Sequence, residues 1–170
     1  MNHVQLDHTH HRPGTRTFPV SVLAHDMDVP MNVGSLFRLA DALGIAHLYL
    51  TGETPTPPNR KIRKTSRATE DSVAFTYAPD PVAVVTDLRT AGTRIVSLEI
   101  TSASQHIRRF TQDPAQPICL IVGAENEGVP DALLALSDAV VHIPMYGQNS
   151  SMNVAAATAI ALFELIKGFE

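Results

Sequence analysis

The chain has no tryptophan, and only 5% of its residues are aromatic. Recognition of unstacked bases on an aromatic platform is therefore not expected. It has one cysteine, Cys119, which excludes an internal disulfide framework and fits a reducing cytoplasm. Apolar runs stop well short of bilayer length, so no transmembrane helix is expected. The first residues lack a basic-then-apolar segment, so no export signal is expected. No G-x-G-x-x-G follows a candidate strand, which removes the common dinucleotide fingerprint. Positive charge is scarce too: 13 Lys and Arg face 17 Asp and Glu, a net charge of −4. A nucleic-acid partner would need a local basic patch, because the molecule as a whole does not attract phosphate.

What remains is enough for one globular domain. The chain has 170 residues, 44% of them hydrophobic and 18% charged, so a sizeable core is available and wholesale disorder is excluded. Met1 to Gly14 is polar and holds four of the eight histidines, His3, His8, His10 and His11. No carboxylate or Cys pattern completes a metal site there, so it reads as a mobile tail, and no metal is expected. The domain boundaries follow as a polar tail over 1–17 and one domain over 18–170.

Strands alternate with helices along that domain. Residues 20–25 read as a strand, and Asn32 sits where a helix cap is expected. Val33, Leu36, Phe37, Ala40 and Leu43 form one apolar helical stripe, closed by Gly44. Residues 46–51 read as a second strand. Pro55, Pro57 and Pro58 open a loop leading into Arg60, Lys61, Arg63, Lys64 and Arg67. Residues 72–77 read as a short strand and Pro79 to Ala91 as a helix. Strands are expected over 94–100 and 118–123, the second apolar enough to be covered on both faces. A short helix starts at Pro130, a last strand covers 139–143, and a long helix runs from about Met152 to Lys167. The pattern predicts an α/β domain with a mostly parallel sheet and helices on both faces.

Such domains bind ligands at loops leaving the carboxyl ends of strands. Three loops are unusual: 28–32, 123–130 and 143–153. Gly123 and Gly128 have the spacing of a phosphate loop. Val129 and Pro130 follow instead of Lys and Ser or Thr, and Glu125 and Glu127 lie between the glycines. Phosphate would be repelled, and a neutral or cationic ligand suits the loop better. Arg38 lies off the apolar stripe and by itself reads as a solvated surface arginine that Asp41 could pair with. Asn32 and the Ser150-Ser151-Met152-Asn153 run read equally as helix caps.

Their joint order is more specific. Asn32-x-Gly34-x-x-x-Arg38 with Ala40-Asp41-Ala42-x-Gly44 comes first. Gly123-x-Glu125-x-x-Gly128-Val129-Pro130 follows, then Ile143-Pro144-Met145-x-Gly147 and Ser151-Met152-Asn153-Val154-Ala155. From about Val20 to Ile166 the chain resembles the SpoU (TrmH-like) RNA ribose methyltransferases of the SPOUT superfamily. Met152 stands where that family usually has leucine.

The resemblance implies an S-adenosylmethionine-dependent RNA ribose 2′-O-methyltransferase with a deep C-terminal trefoil knot. It implies that Leu98, Glu99, Gly123, Gly128, Ile143, Met145, Ser151 and Met152 hold the cofactor, largely through backbone groups. It implies that Arg38 acts on the acceptor hydroxyl, with Asn32, Glu125, Ser151 and Asn153 orienting the arginine and the ribose. Guanidinium stays protonated, so stabilisation of developing alkoxide is the physical form of that role. Glu125 reads equally as a structural carboxylate holding the loop. The implied partners are tRNA or rRNA and a second copy of the chain, not DNA or a membrane, in the cytoplasm. The small residues 155–159 would let another helix approach, or bury against their own sheet. The basic run Arg60, Lys61, Arg63, Lys64 and Arg67 is the first candidate RNA surface, with Arg108 and Arg109 second. The alternatives are a catalytically silent RNA-binding knot protein and a small-molecule α/β enzyme.

Overall fold

In a computed structural model, which describes residues 3–5, 10 and 14–170, seven parallel strands form one sheet. The polar-tail reading, with His8 and His11, lies largely outside the described residues. The strands are β1 (Phe18–His25), β2 (Ile45–Thr51), β3 (Phe75–Ala78), β4 (Arg94–Leu98), β5 (Gln105–His106), β6 (Ile118–Val122) and β7 (Ala139–His142). Their order is β3-β2-β1-β6-β4-β7-β5. The helices are α1 (Pro30–Leu43), α2 (Arg60–Ser66), α3 (Pro81–Thr90), α4 (Asp131–Leu136) and α5 (Val154–Ile166).

Two cores flank the sheet. In β6, Ile118, Leu120 and Val122 join the core under α1, α2 and α5, while Cys119 and Ile121 join the one under α3 and α4. An apolar strand covered on both faces is the result expected from its composition. Burial pushes the Cys119 thiol up to about 12, so it stays protonated. Among the described residues no helix is long and apolar enough to cross a membrane, and no group of His, Cys, Asp and Glu is placed to hold a metal.

Local chemistry sets the helix ends. Asp80 caps α3 by accepting from the Val82 and Ala83 amides at 2.9 and 3.2 Å. Gly44 closes α1 in the left-handed conformation, as its sequence position predicts. Asn32 does not cap α1: Pro30, with its fixed φ, starts the helix two residues earlier, and Asn32 falls in its first turn. Pro130 likewise stands just before α4 and not inside it. The third strand starts at Phe75, because a 3-10 turn at Thr69–Asp71 occupies the chain before it.

The basic run is helical. Asn59 caps α2 by accepting from the Lys61 and Ile62 amides at 2.9 and 3.4 Å. Ile62 and Ser66 are buried. α2 docks on α1 at Gly34, where any Cβ would overlap Thr65 Oγ1 and the Ile62 carbonyl. Thr65 Oγ1 seals the junction by donating to the Met31 carbonyl at 3.1 Å.

Candidate active site

A cleft of about 870 Å³ opens at the carboxyl ends of β4, β6 and β7. That is the size of a site for a cofactor-sized ligand. Its walls include Leu98, Glu99, Gly123, Gly128, Ile143, Met145, Ser151 and Met152, so the loops 123–130 and 143–153 meet there with the end of β4.

Close backbone approach shapes the middle loop. Gly128 has φ +71°, and a Cβ on it would overlap the Glu99 carboxylate. A Cβ on Gly123 would overlap the Gly128 carbonyl. Glu99 Oε2 accepts from the Val129 amide at 3.0 Å, which ties the end of β4 to this loop. Glu99 thus supports the cleft wall with a side chain already engaged.

A second set of bonds joins the loop to α1. Glu125 Oε2 accepts from the Asp28 amide at 3.0 Å, and Glu125 Oε1 accepts from Asn32 Nδ2 at 2.6 Å. Asn32 Oδ1 accepts from Asn153 Nδ2 at 3.1 Å, and Asn153 Oδ1 accepts from the Ala156 amide at 3.1 Å. The Asn153 amide therefore caps α5 and anchors Asn32 together, and both asparagines are fixed in orientation. Both oxygens of Glu125 are occupied, which makes it a positioning residue. Asn153 and Glu125 line the cleft, and Asn32 stands directly behind them. The Ser151 hydroxyl is exposed and has no protein partner among the described residues.

Arg38 is elsewhere. It is exposed, four residues beyond Gly34 on α1, and does not line its own subunit's cleft. It makes no ion pair with Asp41 or any other described residue. Of the residues expected to orient it, Asn32, Glu125 and Asn153 are bonded to one another, and none of the four is bonded to Arg38.

The basic helix also lies outside the cleft. Arg60, Lys61, Arg63, Lys64 and Arg67 are all exposed. Arg63 Nη1 pairs with Glu70 Oε1 and Asp71 Oδ2, each at 3.2 Å. Burial raises the Glu70 carboxyl, but hydrogen bonds from Ser66 and its own amide, with Arg63, outweigh that and hold it below 4.5. Arg60 and Lys64, one helical turn apart, and Arg67 at the left-handed C-cap are exposed and carry no ion pair with any described residue. Arg108 and Arg109 fall in a 3-10 turn after β5, with Arg108 on a separate groove.

Sequence reasoning did not single out His142, Thr101 or Ala157, which also line the cleft. His142 lies near the end of the strand expected over 139–143, so position relative to the strand ends was the available signal.

Comparison with known proteins shows the family. Residues 19–163 match the family described as "SpoU rRNA Methylase family". A 23S rRNA (uridine(2479)-2′-O)-methyltransferase from Streptomyces viridochromogenes is 36% identical over 141 residues, 81% of this chain and 49% of the relative. A tRNA (guanosine(18)-2′-O)-methyltransferase from Thermus thermophilus is 28% identical over 145 residues, covering 85% of this chain and 73% of the relative. The Aquifex aeolicus TrmH/SpoU tRNA modifying enzyme superposes with a TM-score of 0.80 at 26% identity, covering 90% and 76% of the two chains. The Streptomyces methyltransferase AviRb, solved in complex with AdoMet, superposes at 0.78 with 32% identity, covering 91% and 62%. The chain spans about half the length of the Streptomyces rRNA relative.

Proposed function

The chain belongs to the SpoU rRNA methylase family, and on that premise we propose that it methylates RNA ribose 2′-hydroxyls using S-adenosylmethionine. The observation that carries the reading is the cleft walled by the loops 123–130 and 143–153 and tied through Glu125, Asn32 and Asn153 to the helix bearing Arg38. The relatives are named for tRNA and rRNA, so RNA of one of these classes is the substrate.

The residues present fit the cofactor. Gly123 and Gly128 let the loop fold closely on itself and on Glu99 at the cleft wall, and Leu98, Ile143 and Met152 supply apolar side chains there. When bound, S-adenosylmethionine supplies an electrophilic methyl group on a sulfonium. The chain's own part is alignment and charge: Arg38 stabilises the alkoxide developing on the ribose, and the asparagine chain keeps α1 and α5 in register with the cleft.

Arg38 lies outside its own cleft, which supports a homodimer as the working unit, with the guanidinium supplied by a second copy. Exposed Met31 on α1 and exposed Ile160 and Phe163 on α5 supply an apolar surface for it. The small residues Ala155 and Thr158 face inward against their own sheet and do not supply that surface. The insertion of β6 between β1 and β4, and the return of the chain after β7 to Asn32, support a trefoil knot within one domain over 18–170, preceded by a polar tail over 1–17. The α2 stripe is its RNA-binding surface, and the RNA substrate with one buried thiol suits the cytoplasm. Calorimetry with S-adenosylmethionine and methyl incorporation into bulk RNA test the reading. Cofactor and RNA binding without transfer would favour the silent RNA-binding alternative.

A further inference from the structure

His142 ends β7, lines the cleft and belongs to none of the motifs. Its Nδ1 lies 3.0 Å from Ser104 Oγ. The same hydroxyl meets two backbone groups, the Thr101 amide at 3.0 Å and the Thr101 carbonyl at 2.9 Å. A hydroxyl has one proton and two acceptor sites. The amide can only donate and the carbonyl can only accept, so the Ser104 proton goes to Thr101 O. All three approaches are hydrogen bonds only when His142 Nδ1 carries a hydrogen and donates to Ser104. In the neutral ring Nε2 is then a bare acceptor. It has no protein partner among the described residues. Neighbouring His106, with ring centroids 6.1 Å apart, uses its Nδ1 to accept from the Arg108 amide at 3.1 Å.

Strand order indicates which part of a ligand meets that acceptor. β4 separates β7 from β6, so His142 and the Gly123–Glu125 turn are two strand spacings apart, roughly 10 Å. The Glu125–Asn32–Asn153 chain lies on the β6 side, where the loops join α1. On the methyltransferase reading above, on which this inference rests, the reactive methyl points to that corner. The adenosine half then lies over β4 and β7, beside the apolar side chains of Leu98 and Ile143. Its amine and ribose hydroxyls are donors. We propose that His142 Nε2 accepts a hydrogen bond from the adenosine half of S-adenosylmethionine, with Ser104 holding the ring in the required tautomer.

The test uses the full chain, with S-adenosylmethionine and 5′-methylthioadenosine, which keeps the adenosine and the methylthio group but lacks the amino-acid chain and the sulfonium charge. His142→Phe should weaken both ligands by a similar factor, about tenfold, the scale of removing one hydrogen bond. Ser104→Ala, which leaves the imidazole in place, should weaken both by less. Nitrogen NMR of the unliganded wild type should show a hydrogen on Nδ1 of His142 and none on Nε2 in the neutral ring. A hydrogen on Nε2, or unchanged methylthioadenosine affinity in His142→Phe, would overturn the proposal. Failure of the wild type to bind S-adenosylmethionine would instead overturn the parent reading, and this one with it.

Discussion

A guanidinium remains charged at any pH a folded protein tolerates, so Arg38 acts through its charge and not as a base. Its exposure and lack of an ion-pair partner among the described residues leave that charge available to an incoming ribose or phosphate. Arg38→Ala should lower the rate of methyl transfer by about 10²–10³, the effect of removing one preorganised donor. Cofactor affinity should stay nearly unchanged, because Arg38 acts on the acceptor hydroxyl and not on the cofactor. Calorimetry beside a transfer assay checks both, and near-wild-type turnover would contradict the role. Gly128 makes a different demand. Its positive φ and its packing on the Glu99 carboxylate leave no space for a side chain. Gly128→Ala should cost about 1–3 kcal/mol in denaturant unfolding and weaken S-adenosylmethionine binding by roughly tenfold or more. Unchanged cofactor affinity would place the ligand away from this loop.

At the scale of elements, α2 divides its cations between two tasks. Arg63 is committed to Glu70 and Asp71, while Arg60, Lys64 and Arg67 form the outer stripe. Replacing those three with Gln should weaken RNA binding and flatten the slope of log affinity against log salt by about 0.7–0.9 for each phosphate no longer neutralised. Filter binding at three salt concentrations reads the slope, and an unchanged slope would remove α2 from the RNA surface. Arg63→Gln should affect stability more than RNA affinity. Glu70 is depressed in the folded state, so its contribution is present above 4.5 and is lost as pH falls through its lower folded value. Glu70→Gln should therefore be less stable than wild type at neutral pH, with the gap closing in acid melts below pH 4.5. A gap that persists there would show that shape, and not charge, holds Glu70. α2 itself escaped the sequence reading because its seven residues show no apolar periodicity: Ile62 is its one large buried side chain. β5 escaped for a similar reason, being two polar residues at the sheet edge. The stripe of α1 and the two-faced β6 were legible because burial imposes a period, or a continuous run, that composition displays.

At the scale of the molecule, the net charge of −4 and the exposed cations at α2 make the surface charge uneven. The eight expected cofactor positions all line one cleft, because short motifs mark backbone turns that the fold must bring together. The bonding of Asn32 to Glu125 and Asn153 was not legible, since it joins residues 93 and 121 positions apart in the chain. Nor was the removal of Arg38 from its own cleft, which depends on how α1 lies across the sheet. The central claim is transfer to a ribose 2′-hydroxyl. The most direct measurement incubates the protein with methyl-labelled S-adenosylmethionine and RNA from a strain lacking the protein, then hydrolyses the RNA in alkali. A 2′-O-methyl group blocks cleavage of the adjacent phosphodiester, so the label should appear in one alkali-resistant dinucleotide and vanish with Arg38→Ala. Label recovered only in alkali-released mononucleotides, or no label from protein that binds both ligands, would contradict the account.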